Sequence, residues 1–175
     1  MTHLLLVVGG ARSGKSAYAE QRVAGCGATD VVYVATMLPG EPDVDARIAA
    51  HRARRPTSWA TVEAGGELVA AVRQAAGHSA VLLDGFDLAV ALAHLADDDA
   101  ATRLAGDVGT ALREGAPSLA VVVSAEVGMG VVPSSAAGVA FRDRLGAANQ
   151  ALAAGADEVV LVVAGLPLWL KGAPG

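Results

Sequence analysis

The chain has 175 residues, about one domain's worth. With 53% hydrophobic and only 18% charged residues, it can bury enough apolar surface to offset its ordering entropy, which excludes a disordered tail. A net charge of −5 provides no basic field for a polyanion, so nucleic acid is not expected as a partner. The lone Cys26 has no internal disulfide partner, which points to a reducing, cytoplasmic setting; apolar runs such as 4–8 and 159–164 are far shorter than the ~20 residues of a membrane span.

Aromatic residues are scarce, with two each of Phe, Trp and Tyr, so Ala, Val and Leu must build the core. Short apolar runs alternate with longer Ala-rich stretches at helical spacing, the pattern of a single α/β domain over 1–175 with a mainly parallel sheet flanked by helices. In chain order the pattern predicts a strand at 3–8, a helix at 15–25, a strand at 31–36, helices at 44–54 and 66–76, and a strand at 80–84. Helices follow at 86–96 and 99–114, then a strand at 119–124, a helix at 135–154, a strand at 158–164 and a candidate edge strand at 167–171. Segments 37–43 and 127–134 are too rich in Gly and Pro for either element. Both follow strand carboxyl ends, where open α/β sheets bind ligands.

Between the first strand and first helix, Gly9-Gly10-Ala11-Arg12-Ser13-Gly14-Lys15-Ser16 matches G-x-x-x-x-G-K-[ST]. Glycines let successive amides converge on a β-phosphate, and the following helix adds the positive end of its dipole. In a P-loop NTPase fold Lys15 would bridge the β- and γ-phosphates and Ser16 would ligate Mg²⁺. A supporting carboxylate is expected at a neighbouring strand tip. Asp84, after Val81-Leu82-Leu83, fits that position, with a helix N-cap as its competing role and Asp87 as an alternative cap. Glu126, beyond the 119–124 strand, is either a solvated loop residue or a group that orients an acceptor hydroxyl or water.

A second cluster lies at Arg47-Ile48-Ala49-Ala50-His51-Arg52-Ala53-Arg54-Arg55-Pro56. On a helix Arg47 and His51 are one turn apart and share a face, so both could address one phosphate chain, with His51 attacking phosphorus; the alternative is a solvated basic face. His3, His78 and His94 lack such company and read as structural or exposed.

Taken together these residues resemble the bifunctional adenosylcobinamide kinase/adenosylcobinamide-phosphate guanylyltransferases of vitamin B12 assembly. The resemblance runs nearly end to end, through the 9–16 loop, Tyr33-Val34-Ala35-Thr36, Arg47-Ile48-x-x-His51, Arg55-Pro56-x-x-Trp59-x-Thr61-x-Glu63, Glu126-Val127-Gly128-Met129-Gly130-Val131-Val132-Pro133, Phe141-Arg142-Asp143 and Asn149-Gln150. It implies phosphorylation of adenosylcobinamide by ATP or GTP, then transfer of GMP from GTP onto the product to give adenosylcobinamide-GDP. By the same resemblance His51 takes GMP covalently. Gly9, Gly10, Ala11, Arg12, Ser13, Gly14, Lys15, Ser16, Ala35, Thr36, Met37, Arg52, Ala53, Arg54, Arg55, Glu63 and Asp84 match its nucleotide contacts, and a homotrimer is implied. The chain departs from the family pattern at Ala125, where relatives carry Asn, and across 85–92. Two other functions compete: a P-loop small-molecule kinase without nucleotidyl transfer, and a non-catalytic nucleotide-dependent switch subunit.

Overall fold

The computed structural model describes residues 1–37, 39–40, 42–93, 97 and 99–172. The chain runs β1 (His3–Gly9), α1 (Lys15–Ala24), β2 (Val31–Ala35), α2 (Pro42–Arg54), β3 (Ala60–Glu63), α3 (Leu68–Gln74), β4 (Ala80–Asp84), α4 (Phe86–Leu92), α5 (Ala100–Glu114), β5 (Leu119–Ala125), α6 (Ala136–Gly155), β6 (Glu158–Val163) and β7 (Leu166–Lys171). The seven strands form one sheet in the order β3-β2-β4-β5-β1-β6-β7. All neighbours pair parallel except β6 and β7, which form an antiparallel hairpin.

The continuous apolar strands follow from burial on both faces. Along β1, Leu4, Leu6 and Val8 enter one core with α3, α4, α5 and α6, while Leu5 and Val7 enter the opposite core with Ala19 and Val23 of α1. Each fully buried Val or Leu contributes about 1.5–3 kcal/mol, so these two layers dominate the stability. Helix α2 stands apart, since none of its residues is buried.

Three expectations need correction. The sequence predicted nothing between the helices at 44–54 and 66–76, yet β3 lies there as an edge strand. Its ATVE run is mostly exposed and lacks the apolar continuity of an inner strand. The predicted 37–43 loop is shorter than expected, because Pro42 opens α2, a position where its missing N–H costs nothing. Helix α4 ends at Leu92, where Ala93 turns extended; the remainder of the predicted 86–96 helix, 94–96, lies outside the described residues.

Candidate functional site

The 9–16 loop leaves the carboxyl end of β1 and opens α1, as the sequence predicted. Close packing explains Gly9, where an added Cβ would stand 2.7 Å from the Val162 carbonyl oxygen. Gly14 has φ +93° and contacts Gly165 in the β6–β7 turn, which donates its N–H to the Ser13 carbonyl at 2.8 Å. Arg12 also takes a positive φ, 56°, so the loop stores local strain. The Ser13 hydroxyl is buried without a protein partner, and Lys15 Nζ donates to the Gly10 carbonyl at 3.4 Å.

Asp84 ends β4 and ties the two sequence clusters together. Its Oδ1 accepts from the Ser16 hydroxyl at 3.1 Å, and its Oδ2 accepts from the Tyr33 hydroxyl at 2.9 Å and lies 3.4 Å from His51 Nδ1. Burial opposes its ionisation most strongly. The hydrogen bond and charge of His51, then the Tyr33 and Ser16 hydroxyls, nevertheless hold its carboxyl below the usual carboxylate range. Tyr33 shifts far upward, first by burial and then by the Asp84 charge, so it stays a hydrogen-bond donor. Contrary to the expectation of a neighbouring strand, the strand that carries Asp84 is separated from β1 by β5. Nor does Asp84 cap α4, whose N-cap is Gly85 at φ +96° with no side-chain cap, and Asp87 instead accepts the Ala125 N–H at 3.1 Å.

His51 and its neighbours open onto a cleft. Tyr33 and Ala35 of β2 line it with Thr36 and Met37; α2 contributes Ile48, His51 and Arg52, Arg55 follows, and β3 supplies Thr61 and Glu63. Arg52 reaches Glu63 at 3.4 Å, while Arg55 lies 3.5 Å from the centre of the Tyr33 ring and donates to the His51 carbonyl at 3.2 Å. The Nη1 atom of Arg55 is buried and has no hydrogen-bond partner among the described residues. Thr36 is fully buried and its hydroxyl is shared between the Asp84 and Gly85 carbonyls, locking the end of β2 to the β4–α4 turn.

The expected all-arginine surroundings of His51 are half acidic. Arg54 turns away from the cleft to hold both oxygens of Glu20, at 3.0 and 3.1 Å, and Glu20 Oε1 lies 4.0 Å from His51 Nδ1. Arg47 and Ala53 are exposed and do not line the cleft, so the shared face predicted for Arg47 and His51 brings only the histidine inward. Sequence reading missed Glu20, although it lies four residues after Ser16 on α1 and therefore on the same face. Glu126 spends both oxygens on its own loop, accepting from Gly128 and Met129 N–H groups at 2.7 and 3.2 Å. Of the remaining histidines, His3 pairs with Glu158 and His78 with Asp30, whereas His94 lies outside the described residues.

Ser16 and Asp84 offer the all-oxygen donors that suit Mg²⁺, next to the glycine loop that opens α1. A glycine cradle opening a helix, with a serine–carboxylate pair beside it, defines a P-loop nucleotide-binding α/β protein. The fold alone is shared with an ATPase from the type III secretion system of pathogenic bacteria, at TM-score 0.55 and 12% identity over 91% of this chain and 50% of that one. A Pyrococcus horikoshii OT3 protein is similar at TM-score 0.58 and 10% identity, over 98% and 87% of the two chains. The chain itself belongs to the cobinamide kinase / cobinamide phosphate guanyltransferase family, whose profile matches residues 5–170. It is 40% identical to the bifunctional adenosylcobalamin biosynthesis protein CobP of Pseudomonas aeruginosa, over 97% of this chain and 98% of that one. It is 38% identical to the corresponding CobU of Salmonella typhimurium, over 96% and 99%. Among the described residues no helix is long and apolar enough to cross a membrane.

Proposed function

We propose that this chain phosphorylates adenosylcobinamide with ATP or GTP and then transfers GMP from GTP to the phosphorylated product through His51, giving adenosylcobinamide-GDP. The single carboxylate of Asp84 carries this reading, because it reaches Ser16 of the phosphate loop with one oxygen and His51 with the other. The enzyme works in the cytoplasm as a homo-oligomer, a trimer by family resemblance.

In the kinase step the aminopropanol hydroxyl oxygen attacks the γ-phosphorus, the bond to the β–γ bridging oxygen breaks, and the hydroxyl proton passes to solvent. Lys15 and the amides of the 9–16 loop spread the developing charge. Mg²⁺ held by Ser16 and Asp84 would neutralise phosphate charge when bound. In the transferase step Nδ1 of His51 faces Asp84 Oδ2, so attack falls to Nε2, which carries the lone pair when Nδ1–H donates to the carboxylate. A bond forms from Nε2 to the α-phosphorus as pyrophosphate leaves. A phosphate oxygen of adenosylcobinamide phosphate then attacks that phosphorus, and the N–P electron pair returns to the ring. Arg52, Arg55, Glu63, Ala35, Thr36 and Met37 surround the cleft in which the nucleotide would sit.

Incubation with GTP labelled at the α- or γ-phosphate tests the reading. Acid-labile label should enter the protein from the α-position only and vanish in His51→Ala. Label from the γ-position, or α-label that survives the substitution, would refute the role of His51. A chain that phosphorylates adenosylcobinamide but never takes up α-label would be a kinase alone.

A further inference from the structure

The two oxygens of Asp84 face different neighbourhoods. Oδ1 meets the Ser16 hydroxyl, the side read above for Mg²⁺; Oδ2 faces His51 Nδ1 at 3.4 Å. On that second side Glu20 brings Oε1 to 4.0 Å from the same ring nitrogen, and the three donor atoms all lie within 4.8 Å of one another. Both carboxylates are buried, Glu20 being 7% and Asp84 9% exposed. The charge facing them is the Arg54 guanidinium, which holds both Glu20 oxygens and reaches His51 Nδ1 at 3.2 Å. The Arg54 side chain is 42% exposed, so it can swing into water while an entering cation takes over the charge of Glu20.

We propose that Glu20, His51 and Asp84 form an inhibitory site for a borderline transition-metal ion of the Zn²⁺ or Co²⁺ class, entered by displacing the Arg54 guanidinium. Zn–N and Zn–O bonds of about 2.0–2.2 Å at tetrahedral angles put neighbouring ligand atoms about 3.3 Å apart. The His51–Asp84 pair already has that separation, and Glu20 needs only a small side-chain movement to join it. One imidazole with two carboxylates selects Zn²⁺ over Mg²⁺, which prefers oxygen ligands alone. A divalent ion neutralises the two carboxylates, whereas Arg54 leaves one negative charge over. The consequence for catalysis rests on the reading of His51 as nucleophile: a metal on Nδ1 takes that nitrogen's lone pair and leaves the ring proton on Nε2, which then has no lone pair for the α-phosphorus, so guanylyl transfer stops.

The test reads metal binding without turnover. Co²⁺ is titrated into the whole nucleotide-free protein and followed by visible absorption, with Zn²⁺ calorimetry in parallel. One equivalent of Co²⁺ should give the intense bands of a four-coordinate ion. Glu20→Gln and His51→Ala should each weaken binding at least tenfold. Arg54→Ala should tighten it severalfold by removing the competing cation, a gain that misfolding cannot mimic. His78→Ala, which removes a separate histidine–carboxylate pair, should change nothing. Binding that survives His51→Ala, disappears with His78→Ala or is not tightened by Arg54→Ala would overturn the site. Labelling from α-labelled GTP in buffer that holds Mg²⁺ but no Zn²⁺ or Co²⁺ tests His51 as nucleophile independently, so the two ideas fail separately.

Discussion

Asp87 shows how a single half-buried carboxylate acts on stability from beside the phosphate loop. Burial raises its pKa above the ordinary aspartate value, and the nearby Lys15 charge only partly offsets this. The folded state therefore holds the Asp87 proton more tightly than the unfolded chain does. Stability falls as pH rises from the unfolded value, about 3.9, through the raised folded one, and the loss persists at neutral pH. Asp87→Asn keeps an oxygen for the Ala125 N–H and removes the charge. Its melting temperature should equal or exceed that of the wild type at pH 7, and this advantage should shrink as pH falls toward about 4. A variant clearly less stable at pH 7, with no such pH trend, would mean that the carboxylate charge is favourable in the fold. The same residue shows a limit of sequence reading, which weighed Asp87 as a helix cap; nothing in the chain indicated that the end of β5 would come within its reach.

Among the elements, α2 is held differently from the rest. Helix α5 buries Ala101, Ala105, Val108, Ala111 and Leu112, whereas α2 buries nothing and is tied down by polar contacts such as Arg54–Glu20 and Arg52–Glu63. An exposed ion pair such as Arg52–Glu63 contributes about 0–1 kcal/mol, less than one buried Leu, and α2 has no buried apolar face beside its tethers, so it should open locally well before the core does. Its backbone amides should exchange with deuterium at least tenfold faster than those of α5, and GTP should slow them selectively. Equal protection of α2 and α5 would show that the polar tethers are far stronger than this. A helix that carries His51 on loose tethers suits the two reactions proposed above, which strike different phosphorus atoms. The helix itself was legible from its spacing and arginines. Its partner strand β3 was not, because four mostly exposed residues at a sheet edge leave no apolar run to read.

At the scale of the whole molecule, the outer edge of the sheet carries an apolar surface. Along the edge strand β7, Leu166, Leu168 and Leu170 are 71%, 56% and 58% exposed, and their two-residue spacing puts them on one face. An apolar row on a sheet edge invites association, which fits the homo-oligomer proposed above. Light scattering should give a multiple of the 17.4 kDa chain, three by family resemblance, and Leu168→Glu should shift it toward the monomer. A wild-type protein that scatters as a monomer would remove this assignment. What the sequence by itself determined is local: alternating strand and helix periods, the phosphate loop between the first pair, and a histidine among arginines are all written within short windows. Only the tertiary structure decided that β5 separates β1 from β4, that Glu20 enters the site from α1, and that Asp84 faces both Ser16 and His51. Those contacts join residues 31 to 68 positions apart, and strand order, which short-range spacing does not encode, sets which of them meet.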